Sequence, residues 1–267
     1  MSDRTRTLVV ERPEQLWRPE TRREFLRLLG IGGTVVMLPT MFAACDDDDD
    51  PVGPGTGPVS LNLSNDVGIL NYAYALEQLE AGFYIAALAS PAFAGMSAEQ
   101  REVLTDLRNH EVIHREFFRA AIPAASRIPD LQLNTTTVAT AVASAASILK
   151  TAETFEDLGV AAYNGAGKYL TTPANLVAAG NIVAVEARHA AAIRDLREGL
   201  GLAGTPANTR FAGDDVVDSD GLDVKLEPSA VLSRVAASMF VSSQLSIGTQ
   251  PANPTPAADR GPPSPTP

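Results

Sequence analysis

Residues 108–118 read RNHEVIHREFF, and within them His110-Glu111-Val112-Ile113-His114 spells H-E-x-x-H. On a helix this pattern sets two histidines, four apart, on one face, where they can hold zinc while the glutamate serves as general base. The same letters contain a second pair, Glu111 and His114, three apart on another face. Each pairing implies a different site, and the rest of the chain separates them.

A zinc protease site needs a third protein ligand. After His114 the chain runs REFFRAAIPAASRIPDLQLN, without an H-x-x-G-x-x-H continuation, and beyond Glu116 the next glutamate is Glu153. A zincin-type metalloprotease is therefore the weaker alternative. The Glu-x-x-His pair, by contrast, recurs 75 residues later as Glu186-x-x-His189. Two acidic pairs precede these motifs at matching distances. Glu77-x-x-Glu80 stands 34 residues before Glu111, counted from Glu77, and Glu153-x-x-Glu156 stands 33 before Glu186, counted from Glu153. An out-and-back helical hairpin of that length returns to the same level, because both legs rise about 1.5 Å per residue.

The pattern of helix boundaries supports two such hairpins. The middle of the chain is rich in Ala and Leu and shows no alternating strand pattern. A first helix is predicted from Ser64 or Asn65 to about Ala89, stopped by Pro91. Ser97 and Gln100 form a capping box for a second, which ends before Pro123. A third runs from about Thr137 to Leu170, and a fourth opens at Thr172-Pro173 and stops near Gly199 and Gly201. A shorter fifth follows Pro228. Four long helices with one apolar face each bury those faces as a four-helix bundle. The fold class is all-α.

Carboxylates and one imidazole from each half, converging on the bundle interior, suit two neighbouring iron or manganese ions. On the segments LNYAYALEQLEAGFY (70–84), HEVIHREFF (110–118), FEDLGVAAYNGA (155–166) and AVEARHAAAIRDL (184–196), the chain resembles the ferritin-like di-iron carboxylate family, particularly its Tat-exported members. The resemblance spans roughly residues 60–245. It implies a ferritin-like bundle with a short fifth C-terminal helix and a centre of two iron or manganese ions. Glu111, His114, Glu186 and His189 match the paired motif directly. Glu77 is preferred as the first-helix ligand for its spacing and for Tyr84 seven residues on, with Glu80 as alternative. For the third helix Glu156, seven before Tyr163, is preferred over Glu153, which has the better spacing. Tyr84 and Tyr163 are either packing residues or hydrogen-bonding partners of ligand carboxylates.

Plainer roles compete for these residues. Glu99, Glu102, Glu116 and Glu198 are expected on solvated faces, the usual place for helical glutamates. Glu77, Glu80 and Glu186 instead fall within apolar stripes, where several ionised carboxylates need cations or protons. His110 is expected to be a bystander. His110→Ala should then strip a zinc protease site but leave the other kind loaded, and Glu186→Ala should do the reverse. The acidic stretch Asp214–Asp223 lacks EF-hand spacing and is expected to form a surface turn.

The ends of the chain suggest export. Thr21-Arg22-Arg23-Glu24-Phe25-Leu26-Arg27 resembles a twin-arginine signal, and the apolar run after it ends in FAAC at Cys45, like a lipoprotein processing box. Residues 1–44 are expected to be the signal, with Cys45 lipidated and the domain anchored at the outer side of the cytoplasmic membrane; an uncleaved signal anchor is the alternative. Cys45 is the sole cysteine, which excludes an intramolecular disulfide and cysteine-ligated zinc. Residues 45–60 read as an acidic and Pro/Gly-rich linker, 61–247 as the domain, and 248–267 as a disordered Pro-rich tail. Beyond residue 44 the chain holds 14 basic and 27 acidic residues, a net charge of −13 that argues against nucleic-acid partners.

The resemblance implies metal ions, with O2 or peroxide, as partners. It leaves three functions: a di-metal oxidoreductase, iron oxidation and storage, or a stress-protection or interaction module whose metal is structural or absent. Storage also needs a closed oligomeric shell, which an anchor and linkers at both ends make less natural.

Overall fold

Most helices in this chain start where a side chain accepts from their free N–H groups, and two stop just before a proline. The structure is a computed structural model that describes residues 57–199 and 212–251. Arg22, Arg23, Cys45, the acidic run and nearly all of the tail lie outside the described residues. Helix α1 (Asp66–Ala89) is capped by Asn65, whose side chain accepts from the Gly68 N–H. A single short turn, α2 (Pro91–Ala94), follows. Helix α3 (Ala98–Ala121) opens on the expected capping box, with Ser97 and Gln100 bonding each other's backbone.

The third predicted helix is corrected by the structure. It is two helices, α4 (Thr135–Ala141) and α5 (Ala145–Ala166), followed by a 3₁₀ turn at Gly167–Tyr169. The break is chemical: Ser144 and Ser147 form a second capping box, drawing the backbone at Ser144 out of the helix. Helix α6 (Pro173–Gly199) and the shorter α7 (Pro228–Ser238) lie where the sequence places them.

α1 packs along α3 and α5 along α6, and the hairpins meet through α1 against α5 and α3 against α6. The crossover from α3 to α4 lies along α1. There Asn71 donates to the Ser126 carbonyl and accepts from Ile128, and Gln78 accepts from the Leu131 N–H. Leu76, Leu79, Ile148, Leu149 and Ile193 fill the core. Each such side chain contributes about 1.5–3 kcal/mol on burial. Phe83, Phe155 and Phe240 meet edge to face, with centroids 5.4 Å apart for the first pair and 4.7 Å for the second. α7 reaches the bundle through a close approach at Gly165, where a Cβ would fall 1.7 Å from the Leu226 carbonyl oxygen.

Two short strands, not expected from the sequence, flank the helices at the ends of the domain. β1 (Val59–Asn62) and β2 (Leu245–Thr249) pair in parallel, Val59 opposite Leu245 and Leu61 opposite Ile247. β1 alternates buried Val59 and Leu61 with exposed Ser60 and Asn62, but four residues are too few for that period to stand out. It begins within the stretch read as linker. α6 is long and apolar enough, by length and composition, to cross a membrane. Glu186, His189 and Arg194 on it are nonetheless buried within the bundle.

Candidate metal centre

Helix periodicity carries one turn of each long helix to a common point. α1 delivers Glu77, α3 Glu111 and His114, α5 Glu156, and α6 Glu186 and His189. All four carboxylates are fully buried, with His189 and His114 at 3% and 8% exposure. Their donor atoms form two groups, each gathered within 4.8 Å: Glu77, Glu111, His114 and Glu186, and Glu111, Glu156, Glu186 and His189. Glu111 and Glu186 belong to both. His114 Nδ1 lies 2.9 Å from Glu186 and 3.5 Å from Glu77, while His189 Nδ1 lies 2.9 Å from Glu111 and 3.3 Å from Glu156.

The carboxylates differ in what holds them. Tyr84 donates to Glu156 Oε1 at 2.5 Å, and Tyr163 donates to Glu77 Oε1. Each tyrosine thus crosses from its own helix to the acid of the other hairpin. The second oxygen of Glu77 and of Glu156 has no hydrogen-bond partner; for Glu111 and Glu186 neither oxygen has one, nor does Nδ1 of either histidine. Buried polar atoms are rarely left so. Although only 2.9–3.6 Å apart, these atoms face a shared centre rather than one another as donor and acceptor. That convergence fits metal ligation. Four carboxylates also balance two divalent cations in charge, and imidazole with carboxylate suits iron or manganese.

Without a cation the cluster keeps protons. Burial, then the charge of Glu186, raises Glu111 well above the usual carboxylate range, and burial raises Glu156 to about 7. Burial acts upward on Glu186 too, but His114 and His189 beside it outweigh it and lower its pKa to about 2. Burial would lower His189, yet the surrounding carboxylates, Glu156 foremost, raise it to about 12, and His114 shifts the same way.

The remaining candidates fall elsewhere. Glu153, three residues before Glu156, turns away from the cluster and pairs with Lys150 and Arg197. The preferred Glu156 is the one in the cluster, and the better spacing of Glu153 to Glu186 does not bring it there. Glu80 is buried beside the cluster but joins neither donor group. His110 also joins neither, so the histidines four apart do not form a zinc pair. It is nevertheless no bystander. Its Nδ1 lies 2.9 Å from Nε2 of His189, with the two rings edge to edge, their planes 5° and their centroids 5.1 Å apart. No sequence spacing pointed to that contact across 79 residues. Glu99 and Glu102 are exposed, while Glu116 is half-buried and paired with Arg115 and Arg119. The side chain of Glu198 is outside the described set. Asp218 organises the acidic stretch as a turn by accepting from the Asp220 and Leu222 N–H groups.

Residues 65–199 match the family model described as a ferritin-like domain. A comparison with curated proteins found no match.

Proposed function

The chain belongs to the ferritin-like family, and from that premise we propose that it holds two iron or manganese ions and serves oxidative-stress or iron redox chemistry, with O2, peroxide or Fe(II) as reactant. The observation that carries this reading is the set of orphaned ligand atoms. Both oxygens of Glu111 and Glu186 are free, as is one oxygen each of Glu77 and Glu156 and Nδ1 of both histidines. Glu111 and Glu186, present in both groups, are suited to bridge, and Glu77 with His114 and Glu156 with His189 to bind one ion each. When bound, such ions supply the one-electron chemistry that carboxylates and imidazoles lack.

The chain's own residues do the positioning. Tyr84 and Tyr163 fix one oxygen of Glu156 and Glu77, leaving the other to face the ion. Leu76, Leu79, Phe83 and Phe155 are buried in the apolar core of the same bundle. The protons held by Glu111, Glu156 and the histidines leave as cations enter. We further propose Tat export and lipid anchoring at Cys45, on the strength of the Arg22-Arg23 motif and the FAAC sequence.

Elemental analysis of the purified domain after anaerobic reconstitution tests the reading. About two ions per chain are expected, falling to fewer than one in Glu186→Ala, which removes a ligand from both groups. Less than one ion in the unmutated domain would sink it and leave the non-enzymatic interaction module. With metal present, peroxide decay and Fe(II) oxidation assays separate peroxidase or catalase-like activity from ferroxidase activity.

A further inference from the structure

A cavity of about 250 Å³ opens between α1, α5 and α7, with Glu80 and Gly159 in its wall. Its other charged lining residues are Lys150, Glu153, Asp157, Asp215 and Arg234. Three of these acids have cation partners: Lys150 and Arg197 for Glu153, and Arg194 for both Asp157 and Asp215. Glu80 is the exception. It is 3% exposed, its Oε2 has no hydrogen-bond partner, and among the described residues no ion pair neutralises it. It is also a fifth carboxylate, in excess of the four that balance two divalent ions.

Gly159 joins this cavity to the metal centre. A Cβ there would stand 3.1 Å from Glu80 Oε1 and 3.9 Å from Oε2 of Glu186, a ligand atom of the centre. Glycine thus keeps open the space between the unpaired carboxylate and the paired site. The two halves of the bundle diverge at this level. Glu77 and Glu156 are counterparts, and three residues beyond them α1 carries Glu80 where α5 carries Gly159. One half supplies a carboxyl group and the other the room beside it.

We propose that Glu80 forms a third, transient site for a divalent cation at the inner wall of this cavity, through which metal passes over Gly159 into the centre. The inference rests on the two-ion reading above. A desolvated carboxylate with a free oxygen favours a hard or borderline cation over a neutral oxidant, and a cation held there lies next to its destination. A carboxyl so placed gives an arriving cation a ligand beside its destination, which speeds entry more than it tightens the final site.

The test follows cobalt(II) entering the metal-free domain by stopped-flow absorbance, with stoichiometry from equilibrium dialysis and elemental analysis. Glu80→Gln, which keeps the shape and removes the ionisable carboxyl, is expected to bind two ions at equilibrium but load them about ten-fold or more slowly. Gly159→Ala, which keeps the Glu80 carboxyl but sets a methyl 3.1 Å from its Oε1 and narrows the passage, is expected to slow loading as well. A third, weak cobalt equivalent seen in the unmutated domain is expected to vanish in Glu80→Gln. Exposed Glu99→Gln serves as the control, with loading unchanged. Loading of Glu80→Gln at the unmutated rate overturns the proposal alone. Loss of one of its two tight ions would make Glu80 a permanent ligand and also overturn it. An unmutated domain that takes up no cobalt overturns this inference and the two-ion reading together.

Discussion

At His189 the two ring nitrogens face different worlds. Nδ1 turns to Glu111, Glu156 and Glu186, while Nε2 meets Nδ1 of exposed His110. A neutral His189 that ligates through Nδ1 carries its proton on Nε2 and donates it to His110, which fixes tautomer and ring plane. Among the described residues no such partner stands at His114, so the two metal positions are unequal. His110→Ala is expected to weaken the ion beside His189 by about 10- to 100-fold, the usual cost of losing such a partner, and to spare the ion beside His114. Calorimetric titration with cobalt(II) resolves the two steps; equal loss at both, or at neither, would refute the asymmetry. At this scale the ligands were legible because they recur: Glu111 with His114 and Glu186 with His189 are the same two letters at the same spacing. Tyr84 and Tyr163 were legible only by face. Tyr84 lies one heptad from Glu77 yet bonds Glu156, since helical periodicity sets a residue's face but not what lies opposite it.

Among the elements, the starts of α1 and α6 are joined by one side chain. Asp66 accepts from the Thr171 and Thr172 N–H groups, the Thr171 hydroxyl and the Asn175 amide, at 2.7–2.9 Å. Burial alone would raise its pKa, but these hydrogen bonds, Thr171's foremost, hold it well below the usual aspartate range. A depressed carboxylate stabilises the fold above its unfolded pKa, and that stability is lost as pH falls through the folded one. Asp66→Asn is thus expected to lower the melting temperature at pH 7, with the gap to the unmutated protein closing at pH values below about 4. A gap constant across that range would show that charge plays no part. The boundaries of α1, α3, α6 and α7 were legible from caps and prolines, which act locally. The break before α5 was not, because Ser144-x-x-Ser147 lacks the Glu or Gln that marks a strong capping box.

For the whole molecule, two hairpins that each deliver an acid from one helix and a Glu-x-x-His from the other account for the bundle and its centre together. Their repeat made the architecture readable before any packing was known. β1 and β2 were not readable, since each gains its partner only when residues nearly two hundred positions apart are brought side by side. The proposed anchor is also a property of the whole chain. Metabolic palmitate labelling is expected at Cys45 and abolished in Cys45→Ser, and label retained in that variant would refute lipidation there. The strand pair bears on how such a tethered domain would carry load. Because β1 and β2 run in parallel, the chain enters at one end of the ribbon through Val59 and leaves at the other through Thr249. Tension between the two chain ends therefore pulls the strands lengthwise past each other. The cross-strand hydrogen bonds then bear it in shear, all at once, instead of parting singly like a zip.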